Sequence, residues 1–142
     1  LPSYAPLIAK AVTEADLLIG AVLIPGARAP KLVTREMVKT MKPGSVIIDI
    51  SVDQGGCVET IRPTTYEAPT YVEHGVVHFG VTNMPGAVPR TASQALSTSL
   101  TPYVLRLAAK DGIQDPALAT GVNVRGGRIV HPAVAAALAG QT

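Results

Sequence analysis

Apolar positions recur along the chain in two rhythms that alternate. Leu7, Ile8, Ala11 and Val12 fall at helical spacing, with Lys10, Thr13 and Glu14 elsewhere on the wheel, so Leu7 to Ala15 predicts a surface helix. It runs straight into Leu17-Leu18-Ile19-Gly20-Ala21-Val22-Leu23-Ile24. That continuous apolar run, closed by Pro25-Gly26, predicts a strand covered on both faces. A second helix is predicted from Thr34 to Met41, with Thr34 as N-cap, Met37, Val38 and Met41 on one face, and Pro43-Gly44 as its stop. Val46-Ile47-Ile48-Asp49-Ile50 then reads as a short buried strand ending on the polar cluster Ser51-Val52-Asp53-Gln54-Gly55-Gly56. Helix, strand, helix, strand in this order is the alternation of an α/β, doubly wound parallel sheet with right-handed crossovers.

Thr64 to Tyr71 carries turn and polar residues, and Glu73-His74-Gly75 predicts a turn. Val76 to Val81 predicts a third strand, which ends at Thr82-Asn83-Met84-Pro85-Gly86. From Thr91 glycine and proline thin out. Ala92, Leu96, Leu100, Tyr103, Val104 and Leu107 recur at helical spacing up to Asp111-Gly112, predicting one long helix over Thr91 to Lys110. Pro102 should bend it, with Ser97, Thr98, Ser99 and Thr101 partly satisfying the freed carbonyls. A short helix at Pro116 to Ala119, a hairpin around Gly126-Gly127 and a last helix from Pro132 to Ala139 follow.

Composition narrows the classes. A net charge of +2 with 15% charged residues leaves no basic stripe, and the four tyrosines and one phenylalanine are not interleaved with Lys or Arg, so nucleic acid is not an expected partner. Apolar stretches break at Gly, Pro or Asp before the ~20 residues of a membrane span, so no membrane partner is expected. Cys57 is the only cysteine; this excludes an internal disulfide and fits a reducing, cytoplasmic compartment. Its ordinary role is a small semi-buried residue beside a turn. The chain begins at Leu1 rather than Met, with a segment that resembles neither a charged leader nor an apolar signal, which predicts a fragment of a longer protein.

If the three strands are parallel, Leu23 to Gly26, Ser51 to Gly56 and Thr82 to Gly86 line one rim and can share a ligand crevice; otherwise they are ordinary strand-to-helix turns. Asp53 in that rim is a general base, an electrostatic stabiliser, a cofactor contact, or simply a turn aspartate. Arg62 meets an anion such as a cofactor phosphate, or is an exposed arginine. Met84 packs on a flat ring or fills core. No GxGxxG or GxxxxGK[ST] occurs. His74, His78 and His131 lack metal-ligand spacing and read as surface or partly buried residues, so no metal is expected.

The stretches ADLLIGAVLIPGARAPKLVTREMVKTMKPGSVIIDISVDQGG (15 to 56) and HFGVTNMPGAVPRTASQAL (78 to 96) together resemble alanine dehydrogenase, and the likeness runs through most of the chain. The related transhydrogenase nucleotide-binding subunit shares the fold, but a Leu-Pro pair is expected there in place of the Asn-Met-Pro-Gly-Ala-Val-Pro-Arg run. A non-catalytic nucleotide-binding or assembly module is the alternative from another class. The resemblance implies a Rossmann-type NAD-binding domain and NAD-dependent, reversible oxidative deamination of L-alanine to pyruvate and ammonia by a homo-oligomer, usually a hexamer. It implies NAD contacts at Val22, Leu23, Ile50, Ser51, Val52, Asp53, Arg62, Val81, Thr82, Asn83 and Met84. It also matches Asp53 to the catalytic aspartate, near the nicotinamide, where a carboxylate helps activate the water that attacks the imine and balances positive charge. The family's nucleotide fingerprint, its acidic ribose-binding residue and its substrate-binding arginine, lysine and histidine have no counterpart here. Residues 1–89 therefore read as the later part of the NAD-binding domain, and 90–142 as a long connecting helix and the C-terminal part of the substrate domain.

Overall fold

The computed structural model describes residues 4–109 and 114–139. Their contacts group into two compact units, one of residues up to Ile24 with Arg28–Met84, the other of Pro25–Ala27 with the residues from Pro85 onward.

The first unit is a four-stranded sheet with helices against it. Helix α1 (Ala5–Glu14) turns Val12 into the core and feeds strand β1 (Leu17–Gly20). Helix α2 (Arg35–Lys39) starts where the Thr34 hydroxyl accepts the Met37 amide at 3.3 Å, the cap that its sequence predicts. Strands β2 (Val46–Asp49), β3 (Thr70–Glu73) and β4 (Val76–Phe79) complete the sheet in the order β1-β2-β4-β3. β1, β2 and β4 are parallel and β3 is an antiparallel edge strand. Ile47, Val38, Val58 and Val76 are fully buried between sheet and helices, and each such side chain contributes about 1.5–3 kcal/mol.

Three predicted strands end early, two of them for one connected reason. The Asp49 carboxylate captures the Ser51 amide at 3.0 Å, so the chain leaves β2 at Ile50 and winds into a 3-10 helix over Ile50–Gln54. Gly20 is paired with Asp49, so Ala21 to Ile24 have no ladder partner and leave β1. β4 stops at Phe79, and Val81 instead makes an isolated bridge to Thr64. The Glu73-His74-Gly75 turn is present, with φ of 54° at His74 and 78° at Gly75, and it folds β3 back on β4. Thr70 and Tyr71, read from sequence as turn residues, are therefore strand. His78 corrects another expectation: it is fully buried.

In the second unit helix α3 (Pro89–Ala108) runs continuously through Pro102 and has no buried residue. The hydroxyls of Thr98, Ser99 and Thr101 bond back to the carbonyls of Gln94, Ala95 and Ser97. None of these ends on the Thr98 carbonyl, the one that Pro102 deprives of its donor, so the predicted compensation does not come from them. The predicted stop at Asp111-Gly112, with Lys110, lies outside the described residues. Helix α4 (Pro116–Ala119), the hairpin of β5 (Val124–Arg125) and β6 (Arg128–Ile129), and helix α5 (Pro132–Ala139) fall where the sequence predicts. No helix among the described residues is long and apolar enough to cross a membrane.

Candidate functional site

Because β1, β2 and β4 run parallel with Gly20 opposite Asp49 and Ile48 opposite Phe79, their carboxyl ends meet one edge of the sheet. The three segments that leave this edge carry all the predicted site residues except Arg62.

The middle segment is built around Asp49, which is wholly buried yet accepts four hydrogen bonds. One carboxylate oxygen takes the Ser51 amide at 3.0 Å and the Ser51 hydroxyl at 2.5 Å; the other takes the amides of Cys57 at 2.7 Å and Val58 at 3.0 Å. A buried carboxylate is tolerable only when its lone pairs are satisfied in this way. Lys31 closes the loop from outside. Its ammonium donates to the carbonyls of Gly55 at 2.6 Å, Gly56 at 2.9 Å and Val58 at 3.2 Å. Close packing accompanies the clamp: a Cβ on Gly20 would lie 2.5 Å from the Cys57 sulfur, so β1 and the loop meet where only glycine fits. Burial pushes the Cys57 thiol up, which keeps it protonated and inert.

On this clamped loop Asp53 stands exposed, and its carboxylate accepts the Asn83 amide at 3.2 Å, joining the segment after β2 to the segment after β4. Asn83 has a left-handed backbone with φ of 50°, and the neighbouring Met84 carbonyl accepts the Tyr66 hydroxyl at 3.0 Å. The other predicted residues divide by burial. Ser51, Val52 and Val81 are buried; Ser51 is committed to Asp49 through its amide and hydroxyl, and the side chains of Val52 and Val81 are committed to core packing. Leu23 and Ile50 expose apolar side chains, 68% and 52% accessible, and Val22, Thr82 and Met84 are half-buried. Arg62 is exposed, with its guanidinium carbon 4.0 Å from the Tyr71 ring centroid. Its carbonyl packs where a Cβ on Gly80 would stand at 2.4 Å, so its backbone lies against the exit of β4.

A separate apolar groove of about 370 Å³ lies between α1 and β1, lined by Ile8, Ala11, Leu18, Val22, Leu32 and Cys57 among others. Of the predicted site residues only Val22 reaches it. The polar chemistry is therefore at the strand ends, not in this groove. Among the described residues no group of three or more His, Cys, Asp and Glu is placed to hold a metal.

Sequence reasoning passed over Asp49, Lys31 and Tyr71, which hold the site without facing it. Only Asp49 had a visible signal: a lone carboxylate inside the apolar run Val46 to Ile50 must find several donors or stay out of the strand.

The family described as Alanine dehydrogenase/PNT, C-terminal domain matches residues 2–132. Among curated proteins the chain is 53% identical over 139 residues to an alanine dehydrogenase of Halomonas elongata, covering 95% of the chain and 38% of that protein. It is 57% identical over 133 residues to an alanine dehydrogenase of Bacillus subtilis, covering 90% of the chain and 35% of that protein. The chain thus spans somewhat over a third of the length of these relatives. A solved L-alanine dehydrogenase superposes with a TM-score of 0.77 at 55% identity, over 98% of this chain and 39% of the other. A solved transhydrogenase from Sinorhizobium meliloti superposes at 0.69 with 32% identity, over 92% and 36%. The mixed α/β unit with its parallel core corresponds to the NAD-binding, Rossmann-like domain of these proteins. The family match spans nearly the whole chain, and the chain belongs to the alanine dehydrogenase/PNT C-terminal domain family.

Proposed function

We propose that this chain is the later part of the NAD-binding domain (residues 1–89), with the long connecting helix and the C-terminal part of the substrate domain (90–142), of an NAD-dependent alanine dehydrogenase. The reaction is reversible oxidative deamination of L-alanine to pyruvate and ammonia. One observation carries the reading: an exposed Asp53 carboxylate, tied to Asn83 at the carboxyl edge of three parallel strands, in a chain 57% identical to a protein named alanine dehydrogenase.

The residues at the edge fit one side of a dinucleotide. Leu23, Ile50 and Met84 offer apolar surface to a flat ring, the main chain of Val52, Val81 and Thr82 lies at the edge beside it, Ser51 fixes the turn through Asp49, and Arg62 offers a cation to a phosphate. NAD, when bound, supplies the acceptor for the substrate hydride. Asp53 then accepts a proton from the attacking water and offsets positive charge beside the ring. Asn83 holds that carboxylate in place through its amide. The glycine fingerprint and the substrate-binding basic residues come from an upstream segment, and the whole enzyme works as a cytoplasmic homo-hexamer on a small-molecule substrate.

The transhydrogenase likeness, at 32% identity and a TM-score of 0.69, favours a second reading as an NAD(H)-binding transhydrogenase subunit. One assay separates the two. Full-length protein containing this chain is expected to form NADH from NAD only when L-alanine is added. No alanine-dependent NADH, together with hydride exchange from NADH to an oxidised nicotinamide nucleotide analogue, would transfer the assignment to the transhydrogenase subunit.

A further inference from the structure

Arg62 is mounted on a stack. Its guanidinium lies 4.0 Å over the centroid of the Tyr71 ring. The same ring lies 5.0 Å from the His78 ring at an interplanar angle of 18°. The Tyr71 ring therefore contacts both groups. His78, opposite Tyr71 in the β3–β4 ladder, is fully buried and fixed at both nitrogens: Nδ1 is 2.9 Å from the Val76 carbonyl, and Nε2 is 2.7 Å from the Thr60 hydroxyl. A carbonyl only accepts, so Nδ1 carries the proton and Nε2 accepts from Thr60. The Tyr71 hydroxyl donates to the Thr60 carbonyl at 2.7 Å and accepts the Arg62 amide at 2.9 Å. Tyr71 is therefore tied at its face, its tip and its backbone.

A guanidinium seated over a ring makes that contact without using its N–H donors, which stay available to an anion. Among the described residues no carboxylate pairs with Arg62, in contrast to Arg35 and Arg106, which pair with Glu73 and Asp115. An arginine seated on an anchored ring, with donors that no carboxylate takes, is an anion receptor part of whose ordering cost is already met by the fold.

We propose that Tyr71, backed by His78 and Thr60, is a positioning residue that holds Arg62 as a preorganised receptor for a phosphate oxygen of the cofactor. This rests on the reading of Arg62 as a cofactor contact, and the test keeps the two apart. NAD affinity and kcat are measured in full-length protein containing this chain. Arg62→Ala is expected to weaken NAD binding about tenfold, as loss of one charge-assisted contact. Tyr71→Leu is expected to weaken it roughly three- to tenfold, with kcat at saturating NAD within about twofold. In the double variant the loss should equal that of Arg62→Ala alone. Tyr71→Phe keeps the ring face and loses the hydroxyl, so its melting temperature should fall while NAD affinity is retained. Arg62→Lys keeps the charge and the fold but not the plane, and is expected to bind NAD at least about threefold more weakly. Unchanged NAD affinity in Arg62→Ala would overturn both the contact and its platform. Weakened binding in Arg62→Ala, with wild-type affinity in Tyr71→Leu or Arg62→Lys or with losses that multiply in the double variant, would overturn the platform alone.

Discussion

Asp53 makes one hydrogen bond that an amide can also make: it accepts the Asn83 N–H at 3.2 Å. Asp53→Asn therefore keeps the tie between the two loops and removes only charge and basicity. If the carboxylate acts on the substrate, kcat for alanine oxidation in the full-length protein falls about 10²- to 10⁴-fold, or ~3–5 kcal/mol in barrier. If it only ties the loops, kcat and melting temperature both stay close to wild type, and steady-state kinetics beside thermal unfolding separates the two. His78 yields a different kind of expectation. Burial pushes its pKa down, so the folded form takes up a proton at lower pH than the unfolded chain, whose histidine titrates near 6.5. The unfolded state binds more protons in the window below about 6.5, so stability is full above it and is lost as pH falls through the folded-state value. Melting temperature should drop between about pH 7.5 and 5.5, and His78→Gln, which retains a donor and an acceptor, should flatten that drop. An equal drop in both proteins would remove His78 from the response.

At the scale of elements, α3 presents Leu96, Leu100, Tyr103, Val104 and Leu107 at 46% to 60% accessibility, and buries nothing. A stripe of this kind on a twenty-residue helix marks an interface. In the proposed hexamer it is expected to be covered, each side chain contributing about 1.5–3 kcal/mol. Leu100→Lys with Leu107→Lys should then shift full-length protein toward smaller species in sedimentation; unchanged assembly would take α3 out of the contact. The helices and the hairpin at Gly126-Gly127 were legible in the sequence because periodicity, caps and paired glycines are local signals. The parallel core was legible too, through its β-branched runs. Strand limits were not, because they depend on long-range partners: β1 ends where Asp49 stops β2, and nothing within Leu17 to Ile24 records that. β3 was missed because an edge strand with alternate exposed residues, Thr70-Tyr71-Val72-Glu73, is not apolar enough to stand out. Asp53 stood out by its place in a polar strand-end cluster and Asn83 was singled out through the resemblance, whereas the amides that hold Asp49 belong to the backbone and leave no side-chain signature.

For the whole molecule, the edge of the sheet offers Asp53, Asn83 and Arg62 but no glycine fingerprint, and without one the cofactor is not positioned. The 142-residue chain by itself is expected not to turn over alanine. NADH formation by the purified chain at a rate near that of full-length protein would contradict this. The clamp of Asp49 and Lys31 on the loop 50–58 has a consequence in time as well as in space. The amides of Ser51, Cys57 and Val58 all end on a carboxylate with no solvent exposure, so solvent cannot reach them by a local fluctuation of the loop. Their deuterium exchange should proceed only through opening of the sheet, at the slow limit set by global unfolding, although loops ordinarily exchange fast. Asp49→Ala, which removes both acceptor oxygens, should release all three amides to rapid exchange. On this expectation the segment that presents Asp53 is a surface loop by position and part of the core by its clock.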